Sequence, residues 1–237
     1  MLDGLNWLLD PAHWTGSRGI PTRLLEHLAI TGMTLLIAGV IALAAGLAIG
    51  HTRRGRGLVV GLSGALRAMP TLGLLVFIAV QFGFGVRLAI IPTLIVLVVL
   101  AIPPILAGAY AGIESVDPAT VDASRALGLT EWQILWRVEF PLALPLIVGG
   151  LRSAMLQVVA TATVAAYISL GGLGRFLFDA LPLRDYPQML AGALLVAALA
   201  LILDLLFLLV GKAVLPAGVR AARGNRRSKT PTERTAA

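Results

Sequence analysis

The chain has 237 residues, of which 58% are hydrophobic and only 13% are charged, whereas a typical soluble domain carries about 25% charged residues. This composition excludes an ordinary soluble domain and predicts an all-α, polytopic membrane protein. The formal charge of +7 is more typical of membrane-protein loops and tails than of nucleic-acid binding, and the absence of Cys with only three His predicts no thiolate chemistry and no metal site.

Five runs of the chain are apolar and long enough to cross a bilayer, which takes roughly 20 residues. They cover about Leu24 to Gly50, Leu58 to Gln81, Leu88 to Gly112, Leu142 to Leu170 and Met189 to Val210. We assign residues 1–216 to a single transmembrane domain. Residues 217–237 form a basic tail with almost no apolar periodicity, which we expect to be disordered and to lie near anionic lipid headgroups.

Prolines interrupt the second and third of these runs, at Pro70 and at Pro92, Pro103 and Pro104. Prolines at membrane depth free carbonyl groups, which is tolerated mainly where other helices or a cavity satisfy them. We therefore expect these spans to line a pathway. The candidate lining residues lie at the break in the second span and on the fourth span: Met69, Pro70, Thr71, Thr161, Thr163, Tyr167 and Ser169. The alternative is helix packing with hydroxyls bonded to the backbone.

Pairs of glycines four residues apart occur in three places, at Gly46 and Gly50, at Gly57 and Gly61, and at Gly108 and Gly112. Such pairs let helix backbones approach closely. We expect them to serve packing inside one subunit rather than a dedicated dimer interface.

The basic residues predict the orientation of the chain. If the N-terminus is outside, twelve Lys and Arg residues fall on the inner side and five on the outer side. Because cytoplasmic segments carry the excess of Lys and Arg, we expect the N-terminus outside and the C-terminus in the cytoplasm.

Three charged residues lie inside the predicted spans, namely Arg67, Arg152 and Asp204. At 1.5 Å per residue, all three fall roughly 9 to 15 Å from the cytoplasmic boundary. Because charges at this depth are costly, we expect Asp204 to pair with Arg67 or Arg152 in an ion cluster. The alternative is that each arginine reaches the interface alone while Asp204 faces a wet cavity.

One polar segment, VDASRALGLTEWQILWRVEFPLALP, separates the third and fourth spans. Asp117 and Pro118 predict a helix start, and Gly128 a helix end near Leu127. Thr130 with Gln133 predicts a capping box for a second helix that ends at about Val138, before Pro141 opens the next span. We call residues 117–141 the insert and expect it to be a cytoplasmic helix-turn-helix unit. It either docks a partner or lies in the interface with its tryptophans at the headgroups.

The insert resembles the EAA loop of ABC importer permeases. That pattern reads Glu-Ala-Ala, three residues, Gly, nine residues, Ile, any residue, Leu and Pro. Here Asp122-Ala123-Ser124, Gly128 and Val138-Glu139-Phe140-Pro141 keep the spacing, with Asp, Ser, Val and Phe as departures.

Three further segments resemble the permeases for glycine betaine, choline and carnitine. They are RAMPTLGLL (67–75), VEFPLALPLIVGGLRSA (138–154) and ISLGGLGRFLFDAL (168–181). Methionine-type permeases have similar segments and are the alternative.

The resemblance implies a five-span permease subunit in the cell membrane of a prokaryote. Its implied partners are a second permease subunit, an ABC ATPase dimer that binds ATP and Mg²⁺, and an extracytoplasmic substrate-binding protein. No cofactor is implied for this chain, which lacks G-x-x-x-x-G-K-[ST]. The residues implied at the ATPase contact are Asp122, Ala123, Ser124, Arg125, Gly128, Leu129, Thr130, Trp132 and Pro141.

Two other classes of protein are weighed against this interpretation. A secondary transporter usually carries internal repeats, and the sequence shows none. Gly61-Leu62-Ser63-Gly64 resembles the serine motif of rhomboid proteases, but a histidine base is needed on a later span and no His follows His51.

Overall fold

The computed structural model describes residues 2–83, 88–168 and 170–214, and none of them forms a β-strand. The α-helices in chain order are α1 (Leu2–Leu9), α2 (Ile20–Thr52), α3 (Arg56–Arg67), α4 (Thr71–Gln81), α5 (Ile90–Glu114), α6 (Pro118–Ala126), α7 (Glu131–Ile134), α8 (Phe140–Ala162), α9 (Arg175–Phe178) and α10 (Tyr186–Val214). The basic tail, residues 217–237, lies outside the described residues.

Four helical segments of the described chain are long and apolar enough to cross a membrane. They are Ile20–Thr52, Ile90–Glu114, Glu131–Ile168 and Tyr186–Lys212. They contain most of the first, third, fourth and fifth predicted spans. The all-helical, polytopic class therefore agrees with the sequence, and the described residues contain four single helical segments of membrane length.

The second predicted span is divided into two shorter helices. Helix α3 ends at Arg67, and α4 begins at Thr71 after Pro70. Proline has no N–H for a helical bond and disfavours the helical conformation of the residue before it, which favours a break between the two helices at this point. Helix α4 has 11 residues, about 16 Å of helix, which is shorter than the hydrocarbon core of roughly 30 Å.

Helix α5 lies at the centre of the bundle between α2 and α8. Pro103 and Pro104 lie inside α5 without ending it, and both are buried. The core on this side is built from small and branched residues of three helices, with Ala42, Ala101, Ile105 and Ala154 buried together. Burial of such apolar surface among protein atoms holds α5 in place between its neighbours.

Glycines allow the three central helices to pack closely. A Cβ on Gly46 of α2 would lie 2.6 Å from the Cβ of Ala109 of α5, and a Cβ on Gly150 of α8 would lie 2.6 Å from the backbone oxygen of Pro104. Gly108 faces the same crossing from α5. Two of the three predicted glycine pairs thus serve packing within the chain, whereas Gly57 and Gly61 have open space around them.

The second helix of the insert continues into the membrane, contrary to the predicted end at Val138. Helix α7 runs through a π turn, Leu135–Glu139, directly into α8. In the π turn the Phe140 N–H donates to the Leu135 carbonyl, five residues back. Proline normally clashes with the carbonyl four residues before it, and a wider turn displaces that carbonyl. Pro141 therefore lies within the first turn of α8 instead of separating two helices.

The outer part of the bundle is built from short segments and the last long helix. Helix α8 gives way at Thr163 to a 3-10 segment that ends at Ile168, short of the predicted end at Leu170. Helix α1 packs along α10, and Trp7 of α1 contacts the buried Phe176 of α9 edge to face. The N-terminal segment is thus part of the folded bundle.

Candidate functional site

The first helix of the insert begins with the predicted cap. The Asp117 carboxylate accepts a hydrogen bond from the Ala119 N–H at 2.9 Å, and Pro118 is the first residue of α6. The second helix begins with the predicted capping box, because the Gln133 side chain accepts from the Thr130 N–H at 2.9 Å and the Thr130 hydroxyl accepts from the Gln133 N–H. Both ends are thereby fixed by local hydrogen bonds.

The turn between the two helices depends on Gly128. Its φ is +84°, a left-handed conformation that glycine adopts at low cost. The Gly128 N–H donates to the Arg125 carbonyl at 2.9 Å, and the Leu129 N–H donates to the Ser124 carbonyl at 3.2 Å. These bonds satisfy the last carbonyls of α6 and reverse the chain.

A small apolar core holds the two helices together. Val121 of α6 and Ile134 of α7 are buried against Val116, and Leu129 packs beside them. Ser124 is also buried, and its hydroxyl donates to the Thr120 carbonyl at 2.8 Å. Ser124 and Leu129 therefore stabilise the insert from inside, and their contact with an ATPase stays a prediction.

The opposite side of the insert carries large exposed apolar side chains. Leu127 is 81% exposed and Trp132 is 69% exposed. The rings of Trp132 and Trp136 meet edge to face at 5.5 Å, and Trp136 also contacts Phe140. We call Leu127, Trp132 and Trp136 the outer face of the insert. Exposed apolar clusters of this kind are typical of contact surfaces.

Charged residues link the two helices of the insert at its surface. The Arg125 guanidinium donates to both carboxylate oxygens of Glu131, at 2.7 and 3.1 Å, and to Asp122 at 2.9 Å. The hydrogen bond to Glu131 raises the pKa of Arg125 above its usual range. All three residues are exposed, so the pairs fix the turn more than they stabilise the fold.

The remaining residues of the predicted ATPase contact differ in how exposed they are. Ala123 and Thr130 are exposed on the insert, beside the turn. Pro141 is half-buried at the start of α8, and its contact with an ATPase stays a prediction.

A contact between His51 and Glu139, 88 residues apart, was not found from the sequence. The Nδ1 atom of His51, at the end of α2, lies 2.5 Å from the Glu139 carboxylate in the π turn. In the sequence, the one indication of this contact is that His51 and Glu139 each lie at the edge of a predicted span.

Two of the predicted pathway residues line one narrow cleft. Thr71 at the start of α4 and Thr161 near the end of α8 meet there with Thr93 of α5. The Thr161 hydroxyl donates to the Gln157 carbonyl at 2.7 Å, and the Thr93 hydroxyl donates to the Ala89 carbonyl at 2.8 Å. The hydroxyls of Thr93 and Thr161 thus use their protons on the backbone of their own helices, and their oxygens can act only as acceptors in the cleft.

The other predicted pathway residues lie apart from this cleft. Met69 and Pro70 are exposed at the break before α4. Thr163 bonds the Ala160 carbonyl at 2.6 Å, and Tyr167 is exposed with its ring against Phe178. Ser169 lies outside the described residues. Of the predicted pathway residues, the structure therefore brings together Thr71 and Thr161.

The structure pairs Asp204 of α10 with Arg152 of α8. The Arg152 Nη2 donates to one carboxylate oxygen at 2.7 Å, and Nε donates to the other at 2.5 Å. This two-bond geometry is the strong form of an ion pair. The side chain of Arg67, the alternative partner, is outside the described part of the chain.

Exchanging the two charges tests whether this pair matters for the fold. We expect Arg152→Asp and Asp204→Arg each to lower the melting temperature of the purified protein by several degrees, because each leaves two like charges facing one another between α8 and α10. The double exchange should recover at least half of the loss. The measurement is thermal unfolding in detergent, and a double variant as unstable as the worse single variant would contradict the pairing.

The chain is similar to known membrane components of transport systems. The family described as "Binding-protein-dependent transport system inner membrane component" matches residues 36–216. The glycine betaine/carnitine/choline transport system permease protein OpuCB of Bacillus subtilis (strain 168) is 30% identical over 198 residues, covering 84% of this chain and 89% of that protein. The carnitine transport permease protein OpuCB of Listeria monocytogenes is 31% identical, with the same coverage of both chains.

A solved structure supports the fold. The inward-facing MetNI methionine ABC transporter contains a chain that superposes with a TM-score of 0.69, at 24% identity, covering 82% of this chain and 95% of the other. The family match spans more than three quarters of the sequence, and it agrees with the resemblance carried by the insert. The chain therefore belongs to the family of inner membrane components of binding-protein-dependent transport systems.

Proposed function

We propose that the chain forms part of the translocation pathway of an ABC importer for an osmoprotectant, with glycine betaine, choline and carnitine as candidate solutes. The observation that carries this proposal is the similarity, over 84% of the chain, to a permease named for these three solutes. Membership of the family is not compatible with the alternatives of a secondary transporter or a rhomboid-type protease. The methionine alternative stays open to test.

The proposed energy source is ATP hydrolysis on a separate subunit. The sequence contains no phosphate-binding G-x-x-x-x-G-K-[ST] segment, since Leu206 stands where the first glycine would precede Gly211 and Lys212. The outer face of the insert offers an apolar contact of the kind that a groove on an ATPase dimer would cover. ATP and Mg²⁺ are therefore assigned to the partner.

Two further partners and the orientation complete the proposal. Helix α10 exposes most of its apolar side chains, with only 6% of its most apolar stretch buried in this chain, so lipid or a second permease subunit would cover it. An extracytoplasmic binding protein would supply tight recognition, because no predicted span gathers aromatic residues in the sequence that would form a cage for a quaternary ammonium group. The insert would face the cytoplasm with the C-terminus, as the distribution of Lys and Arg favours.

The test is reconstitution of the whole transporter in liposomes with its ATPase, second permease subunit and binding protein. We expect glycine betaine, choline or carnitine to stimulate ATP hydrolysis and to accumulate on the side that holds the ATPase. Methionine, assayed in parallel, should do neither. Stimulation by methionine alone would contradict the osmoprotectant assignment while leaving the family assignment intact.

A further inference from the structure

We propose that His51 is a positioning residue that ties the cytoplasmic end of α2 to the insert, so that movement of the insert reaches the first span. The inference rests on the proposed role of the insert in receiving ATP-driven motion. The insert is already connected to α8, since α7 continues into α8 through the π turn. The His51 contacts are a second connection, from the insert to α2. His51 would give the insert a hydrogen-bonded connection to a second span.

The geometry places one imidazole ring between two carboxylates of the insert. Its Nδ1 atom lies 2.5 Å from Glu139 in the π turn, and its Nε2 atom lies 3.3 Å from Glu131 at the start of α7. A neutral ring donates one hydrogen bond, and a protonated ring donates from both nitrogens. The shorter contact, to Glu139, is therefore the one that the ring keeps in either state.

Burial makes the Glu139 contact the strong part of this connection. Glu139 is 5% exposed, and His51 is its hydrogen-bonding partner among the described side chains. A carboxylate with so little exposed surface is poorly hydrated, so the loss of its hydrogen-bonding partner is costly. The His51–Glu139 contact should therefore persist while the surrounding helices move.

The second carboxylate extends the connection across the insert. Glu131 accepts two hydrogen bonds from Arg125 of α6, and Arg125 also donates to Asp122. The chain of contacts thus runs from α2 through the start of α7 to α6. These outer pairs are exposed and screened by solvent, so their contribution is small beside the buried one.

A cavity of about 310 Å³ separates the end of α2 from α6, and His51, Asp122, Arg125 and Glu139 line it. Helix α2 packs closely against α5 as far as Gly50, where a Cβ would lie 2.7 Å from the Cβ of Ile113. Side chains then join the end of α2 to the insert: Leu47 shares an apolar cluster with Leu135 of the π turn. His51 supplies the polar part of this connection through Glu139 and Glu131.

Substitutions that imitate one ring nitrogen at a time test the proposal. In His51→Asn the amide nitrogen takes the place of Nδ1 and can still donate to Glu139. In His51→Gln it takes the place of Nε2 and can reach only toward Glu131, and in His51→Leu both bonds are lost. The matched control is Thr52→Ala, because Thr52 lines the same cavity while its hydroxyl bonds only the Ala48 carbonyl.

The measurement is the number of solute molecules transported per ATP hydrolysed by the complete transporter in liposomes, with whichever solute drives the unmodified transporter. We expect the ratio to fall about tenfold in His51→Leu and His51→Gln, within the 5–150-fold range of couplings between sites. His51→Asn and Thr52→Ala should stay within about twofold of the unmodified ratio. His51→Leu with Glu139→Leu should be no worse than His51→Leu alone, because the single variant has already lost the His51–Glu139 contact.

The outcomes separate this inference from the proposed function. A failure of the solute assignment appears in the unmodified transporter, before any variant is compared. If His51→Leu does not assemble, the comparison of His51→Asn with His51→Gln decides, since the two differ in which contact they keep. Equal ratios in Asn and Gln, or transport and ATP hydrolysis falling in proportion, would overturn the positioning role.

Discussion

Replacing Gly128 with proline is expected to abolish ATP-driven transport while the chain still inserts into the membrane. Gly128 has a φ of +84°, whereas proline is fixed near −65°. The substitution also removes the N–H that donates to the Arg125 carbonyl. The turn between α6 and α7 would open and separate the two helices of the insert, whereas the membrane-length helices would keep their packing.

The measurement is transport and ATP hydrolysis by the complete transporter, with Gly128→Asn as the control. Asparagine tolerates the left-handed conformation, and a Cβ at this position meets nothing within 4 Å. We expect Gly128→Pro to lose transport at least tenfold, in the range of strong couplings, and Gly128→Asn to keep most of it. Unchanged transport per ATP in the proline variant would show that the turn is not needed for coupling.

Replacing Gly150 with leucine is expected to prevent the chain from folding stably. A Cβ at Gly150 would lie 2.6 Å from the Pro104 carbonyl oxygen and 3.0 Å from the Cα of Gly108. These are backbone atoms of α5, so they can move away only if the two helices separate. We expect a loss of about 3 kcal/mol or more, at the upper end of the cost of overpacking a core.

Gly149 provides the matched control for this prediction. It is the neighbouring residue on α8, it is exposed, and a Cβ there meets nothing within 4 Å. Gly149→Leu should give nearly the unmodified yield and melting temperature of monodisperse protein in detergent, whereas Gly150→Leu should give little folded protein. Equal behaviour of the two variants would mean that α5 and α8 are not held at this close approach.

The parts of the site that could be predicted from sequence are those fixed by local chemistry. Asp117 and Thr130 are caps because their side chains bond N–H groups two or three residues later in the chain. Gly128 ends α6 because its conformation strongly favours glycine. The apolar spans follow from the length that a bilayer requires. None of these inferences needs knowledge of a distant partner.

Proline has two outcomes in this chain, and both differ from the sequence prediction, which kept one span across Pro70 and began a new span at Pro141. At Pro70 the helix ends and the second predicted span divides. At Pro141 the helix continues, because the π turn before it removes the clash with an earlier carbonyl. Which outcome occurs depends on packing around the proline: α8 lies against α2, α5 and α10, and that tertiary support is not visible in a short stretch of sequence.

The long-range ion pairs mark the other limit of prediction from sequence. Asp204 had two candidate partners at similar depth, and depth alone could not choose between Arg67 and Arg152. The His51–Glu139 contact joins residues 88 positions apart, one of which lies in a π turn that shifts the register of the helix. To predict such contacts, one must know which face each helix turns toward the other. An amphipathic pattern gives that information only when the faces differ in polarity, and here nearly every face is apolar.

The second helix of the insert and the fourth span form one continuous helical segment, Glu131–Ile168. This segment has 38 residues, so at 1.5 Å per residue it is about 57 Å long. If it tilts by about 5° around its midpoint, each end of a rod of that length moves by roughly 2.5 Å. If the segment moves as a rigid rod, a displacement of that size at Trp132 would appear in the opposite direction at the 3-10 segment, next to the threonine-lined cleft.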